Sequence, residues 1–118
     1  MTRHSSVTTP KARKPHTCES CRRTIHPGEK YIRQFIADGQ VAVYVECIHC
    51  NTLADLWDLY QWTNCEGYGR EDFEEYGRDC AHLDTLRDAR WYVQWKRQWR
   101  RYDGTLYSIP SLPHEDAA

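Results

Sequence analysis

Cys18-Glu19-Ser20-Cys21 and Cys47-Ile48-His49-Cys50 are two C-x-x-C pairs with 25 residues between them. Two intervening residues let a tight knuckle turn both sulfurs of a pair toward one ion. Together the pairs offer the tetrahedral, soft-donor set that zinc prefers. The expectation is one structural zinc ion on Cys18, Cys21, Cys47 and Cys50. Such a site is closed, whereas a catalytic zinc keeps a position for water or substrate. His49, inside the second pair, is an alternative ligand to one of its cysteines.

The spacer must bring the second pair back to the first. Lys30 to Ile36 has strand composition in Tyr31, Ile32, Phe35 and Ile36. Asp38-Gly39 is a preferred tight hairpin turn, since both positions tolerate positive φ. Val41, Val43 and Val45 alternate with Ala42, Tyr44 and Glu46, the period-2 pattern of a strand with one buried face. A hairpin begins and ends at the same end, so it returns the chain to the metal. A helix is expected directly after Cys50, capped by Asn51 or Thr52. Leu53, Leu56, Trp57 and Tyr60 have the spacing of one helical face. The Cys50 sulfur then sits at a helix N-terminus, where the dipole favours thiolate.

The order of knuckle, hairpin and helix over residues 17–62 resembles a treble-clef zinc finger, which implies Cys18 and Cys21 in the knuckle and Cys47 and Cys50 at the helix end. The long spacer leaves a plain zinc ribbon open. Rubredoxin-type iron sites are similar in their paired cysteines but place glycine after each second one, where this chain has Arg22 and Asn51. The pairs with Ile25, Gly28 and Tyr31, and the ending Trp95-Lys-Arg-Gln-Trp99-Arg-Arg followed by Asp103-Gly-Thr-Leu-Tyr107, are similar to small uncharacterised zinc-binding proteins of actinobacteria and their phages. That likeness implies an origin rather than a mechanism.

Outside the unit, residues 1–16 read as a disordered basic arm rich in Ser, Thr and Pro. Residues 63–104 read as a helical extension, with a short acidic helix over Arg70–Tyr76 and a long helix from about Cys80 to Arg101. Residues 105–118 read as a tail. The long helix carries two apolar stripes, Leu83, Leu86, Ala89 and Val93 on one side and Trp91, Trp95 and Trp99 on the other. The expected architecture is a small α+β domain with the tryptophan stripe packed back on the zinc unit. Its composition suits this: 40% of the residues are hydrophobic, and 5 Trp and 8 Tyr supply much of the apolar bulk. A core so dependent on aromatics benefits from a metal staple.

The formal net charge is -1, but the charges fall in blocks. Residues 1–50 carry 8 Lys/Arg against 4 Asp/Glu, residues 51–86 carry 2 against 9, and residues 87–102 carry 6 against 1. Arg22, Arg23, Lys30 and Arg33 near the knuckle can join Lys96, Arg97, Arg100 and Arg101 in one phosphate-binding patch, or neutralise the acidic block. If part of the Arg/Trp helix stays open, it offers interface anchors or a stacking platform for bases.

The expected function is that of a non-enzymatic zinc-binding regulator or adaptor with a protein partner, in phage-type form a modulator of a host complex. A nucleic-acid-binding finger is the alternative. No catalytic motif is present in the sequence. Cys65, Cys80 and His82, with His26, are candidates for a second metal site. Lacking an early apolar run or a membrane-length stretch, the chain is expected in the cytoplasm, where thiols stay reduced.

Overall fold

The computed structural model of the chain describes residues 4–37, 40–63, 67–81 and 86–111. The strands are β1 (His4–Thr8), β2 (His16–Thr17), β3 (Thr24–Ile25), β4 (Tyr31–Ala37) and β5 (Val41–Cys47). The helices are α1 (Ile48–Trp57), α2 (Leu59–Trp62), α3 (Arg70–Tyr76) and α4 (Leu86–Lys96), with a π-helical stretch over Gly77–Ala81. The fold is α+β, with a three-stranded sheet in the order β1-β4-β5 and a two-stranded β2-β3 ribbon.

β4 and β5 form the expected hairpin, in register from Ala37 opposite Val41 to Tyr31 opposite Cys47. Asp38 and Gly39 lie outside the described residues. Alternation marks β5 as a strand, but burial does not divide between its two faces. Val41 and Val43 are exposed, while Glu46 and Cys47 at the base are buried. The buried residues of the hairpin, Tyr31, Glu46 and Cys47, all lie at its base, so burial follows distance from the core rather than side of the strand.

The basic arm is a correction. Its residues 4–8 form β1 against the outer edge of β4, with Val7 opposite Gln34 and Thr8 opposite Arg33. Farther along, Tyr31 N–H donates to Pro10 O at 3.1 Å, Ala12 N–H donates to Glu29 O at 2.8 Å, and Ala12 is buried. His16–Thr17 then pairs with Thr24–Ile25. Composition alone reads Ser, Thr and Pro as disorder. The open edge of β4 supplies donors and acceptors that this segment satisfies.

α1 starts inside the second pair, not after it. Cys47 is its N-cap, and the Cys50 N–H donates to Cys47 Sγ at 3.5 Å. Asn51 and Thr52, expected as caps, therefore lie within the first turns. Leu53 and Trp57 are buried, whereas Tyr60 is exposed. Asp58, in the left-handed region at φ 55, separates α1 from α2 and turns Tyr60 away from that face.

The helix expected to reach Arg101 ends at Lys96. Gln98 (φ 57) and Trp99 (φ 62) are both left-handed, at a cost of about 1–2 kcal/mol each. Complete burial of the Trp99 side chain offsets this cost. The chain then doubles back. Arg100 bridges Leu106, and Tyr107 N–H donates to Trp99 O at 2.7 Å.

The two stripes of α4 have opposite fates. Trp91 and Trp95, with Trp99 just beyond the helix, are buried. Trp95 stacks on Phe73 with ring centroids 5.5 Å apart and planes 9° apart. Trp57 Nε1 donates to Asp88 Oδ1 at 3.1 Å, joining α1 to α4. Gly77 lets the π-helical stretch close on α4, since a Cβ there would overlap the Tyr92 ring. On the other stripe, Leu86 is 68% and Val93 49% exposed. The helical extension and the cysteine-bearing unit thus share one core.

Candidate metal centre

Cys18 and Cys21 sit in the loop between β2 and β3, Cys47 at the end of β5, and Cys50 in the first turn of α1. Their four sulfurs lie within 4.8 Å of one another, and all four residues are buried. Cys21 Sγ and Cys47 Sγ are 3.9 Å apart. A tetrahedral ion with metal–sulfur bonds near 2.3 Å needs sulfur–sulfur edges of about 3.8 Å, whereas a disulfide needs about 2.05 Å. All four cysteines are free. The cluster can hold a metal ion.

The surroundings favour thiolates. Cys18 Sγ accepts N–H bonds from Ser20, Cys21 and Cys47 at 3.4, 3.5 and 3.3 Å. Cys21 Sγ accepts one from Arg23 at 3.4 Å, and Cys50 Sγ accepts the Trp99 Nε1–H at 3.4 Å. Hydrogen bonds from the other three cysteines hold the Cys18 thiol far below its usual range. Its bond to Cys18 pushes Cys47 up, and burial pushes Cys50 up. Four buried sulfurs cannot all be negative without a cation among them, and a coordinated metal removes the remaining protons.

Arg23 was expected on a partner surface and is instead buried beside this cluster. Its Nη1 donates to Glu29 Oε1 at 3.0 Å. Burial opposes its charge, but Cys47 and Glu29 outweigh that and raise its pKa above the ordinary value. Its positive charge interacts favourably with the Cys47 sulfur and the Glu29 carboxylate. Arg22, next to it, is exposed and left-handed at φ 70.

His49 is not aligned with the sulfurs. Its Nε2–H donates to Tyr107 O at 2.7 Å, and its ring packs 5.2 Å from Trp99. Burial lowers its pKa, which suits a neutral ring pinning the C-terminal segment to α1. Cys65 and His82, and the side chain of Cys80, lie outside the described residues. His26 is exposed, with Nε2 3.1 Å from Arg100 Nη2.

Two acids to which the sequence reading gave no role organise the site. Glu19, inside the first pair, is bonded twice to β5: its N–H donates to Val45 O at 3.0 Å, and its Oε2 accepts the Val45 N–H at 2.6 Å. Glu46, one residue before Cys47, is buried and accepts from Ser20 Oγ at 2.6 Å, Tyr68 OH at 2.9 Å and Asn51 Nδ2 at 3.1 Å. Burial pushes its carboxyl up to about 7 against the lowering effect of these donors. The only sequence signal for Glu46 is its place beside a ligand. Glu46→Ala strands those donors in the interior and is expected to cost about 3 kcal/mol. Urea unfolding followed by Trp fluorescence should show a lower midpoint with an unchanged slope.

The expected partner surface divides. Trp91, Trp95 and Trp99 are buried in the core and offer no stacking platform. Arg22, Lys30, Lys96, Arg97 and Arg101 are exposed, with Arg33 and Arg100 half-buried. Several cations at and beyond the end of α4 lie on rings: Lys96 on Tyr92, Arg97 on Tyr102 and Arg101 on Tyr107. Among the described residues, no helix is long and apolar enough to cross a membrane.

The open stripe of α4 forms one wall of a groove of about 310 Å³, lined by Leu86, Ala89, Arg90, Val93, Gln94 and Tyr107. Arg97 Nη1 donates to the Tyr107 hydroxyl at 3.2 Å, and the Arg101 guanidinium lies 5.1 Å from the centre of that ring. The groove is therefore apolar at its floor and cationic at its rim. No family model, curated protein or solved structure matches this chain.

Proposed function

We propose that the four cysteines hold one structural zinc ion, that knuckle, hairpin and helix make a treble-clef-like unit around it, and that the protein is a non-enzymatic adaptor for a protein partner. The all-sulfur cage supports a structural ion, because it leaves no ligand position for substrate. Keeping four thiols reduced suits the cytoplasm. The version suggested by the likeness to actinobacterial phage proteins is a modulator of a host complex.

One observation carries the partner reading: α4 buries its tryptophan stripe and leaves Leu86, Ala89 and Val93 lining an open groove. Arg90 lines that groove, Arg97 and Arg101 are anchored on its Tyr107 wall, and no acid among the described residues lines it. Charge complementarity selects an acidic segment with apolar anchors, seated as peptides seat in helix-lined grooves. Val93→Glu puts a negative charge at the floor, with no core contact to lose. Capture by the immobilised protein from nuclease-treated extract of its native cells should retain one specific partner, and Val93→Glu should weaken that retention at least about tenfold. Equal retention by both forms would remove the reading.

A nucleic-acid reading has one observation in its favour. Lys11 and Lys30 stand opposite each other in an antiparallel bridge, both exposed, with Arg13 and Lys14 exposed nearby. Without a tryptophan platform, such binding rests on phosphate contacts and must fall steeply with salt. Loss of the captured material on nuclease treatment would favour it.

A further inference from the structure

β5 is an outer strand of the sheet, and part of its edge is open. In an antiparallel strand, alternate residues turn their N–H and C=O toward the partner strand and away from it. Val45 turns both groups away, where Glu19 takes them. The period of two turns Val43 and Val41 outward as well. Their side chains are 42% and 69% exposed. Proteins protect such edges with lysine, proline, bulges or covering segments. Residues 41–45 read Val-Ala-Val-Tyr-Val, and the register against β4 runs unbroken. The opposite edge, β1, is shorter and carries Ser5, Ser6 and Thr8.

We propose that this edge is a homodimer interface, with β5 pairing antiparallel to β5 of a second copy about Ala42 to make one six-stranded sheet. The second copy suits the edge because the open stretch is self-complementary. Pairing about Ala42 sets Val41 opposite Val43 of the second copy and Val43 opposite its Val41. That uses the outward groups of both residues and stops before the Glu19 clamp. On one face, Phe35 and Val43 continue into Val41 and Ala37 of the second copy. On the other, Ile36 and Ala42 continue into Ala42 and Ile36 of the second copy. These rows are apolar, so no like charges meet across the two-fold axis. The interface is isologous and closes at two copies. It goes beyond the groove reading, and it would present two grooves to a bivalent partner.

Light scattering on the full-length, metal-loaded chain across a wide micromolar range tests it. The wild-type mass should rise from 14.0 kDa toward twice that value. Val43→Pro removes an outward donor but no bond to β4, and should stay monomeric with its metal content unchanged. If Val43→Pro does not fold, Val43→Lys, which brings like charges to the axis, should give the same monomer. Ala42→Cys lies on the axis, where paired Cα atoms are close enough for a disulfide. Mild oxidation should link it into a covalent dimer while the wild type stays unlinked. Val93→Glu should leave the dimer intact, which separates this interface from the groove. A wild type that stays monomeric at every concentration would overturn the proposal. So would a dimer that survives both Val43 variants, or one that Val93→Glu abolishes.

Discussion

Serine at position 47 is expected to leave the chain unfolded at room temperature. Cys47 joins β5 to α1, and the site depends on it in three ways. Its sulfur faces the cluster 3.9 Å from Cys21 Sγ, its N–H donates to Cys18 Sγ at 3.3 Å, and it caps α1 through the Cys50 N–H. A structural zinc ion contributes on the order of 10 kcal/mol to folding in small metal-dependent units. Net stabilities of whole domains are only about 5–15 kcal/mol. Losing one ligand of four removes much of the metal term, and the small aromatic core does not replace it. Far-UV circular dichroism and elemental analysis of Cys47→Ser should show lost helix and lost zinc together. Cys18→Ser should behave alike, because Cys18 accepts three backbone N–H bonds. A Cys47→Ser protein with native helix content and no metal would show that the fold stands without its cage.

The second large effect is expected at Trp99, about fifty residues from the ligand it touches. The side chain is fully buried, and its indole N–H donates to Cys50 Sγ. Trp99→Ala leaves a cavity beside the cysteine cluster and should cost about 3–5 kcal/mol. It also removes the reason for two left-handed residues after α4, so the return through Leu106 and Tyr107 should loosen. Trp99→Phe separates the two contributions. It keeps most of the packing but loses the N–H···S bond, and should weaken metal affinity about 10–100-fold, as outer-shell partners of metal ligands do. Competition with a chromophoric chelator measures the affinity, and thermal unfolding measures the packing. Wild-type affinity and midpoint in Trp99→Ala would mean that the C-terminal segment has no part in holding the cage.

The four clustered cysteines and the hairpin between them were legible because their signals are local. Two residues between cysteines, seven-residue strands and the spacing of Leu53 and Trp57 describe how one element presents its own side chains. The start of α1 was placed a turn late because a cysteine rather than Asn51 or Thr52 caps it. The arm was read as disordered because the strand that pairs with it lies some thirty residues downstream. Arg23 was read as part of a partner-binding patch and Glu46 was given no role, because nothing within a few residues announces the Glu29 partner or the cluster of donors.

Periodicity distributes side chains around the axis of an element but leaves open which side meets another element. For α4 both stripes were apolar, and the tryptophan stripe was the one expected to pack inward, but spacing alone named none of the groups it meets. Its tryptophans face inward because Phe73, Trp57 and the Cys50 sulfur converge there from distant positions, giving Trp95 a stacking partner, Asp88 of the same helix the Trp57 N–H, and the Trp99 N–H an acceptor. The spacing of cysteines along the chain was enough to name the cage. Which residues the inward helix face meets around it depended on contacts between positions far apart in the chain.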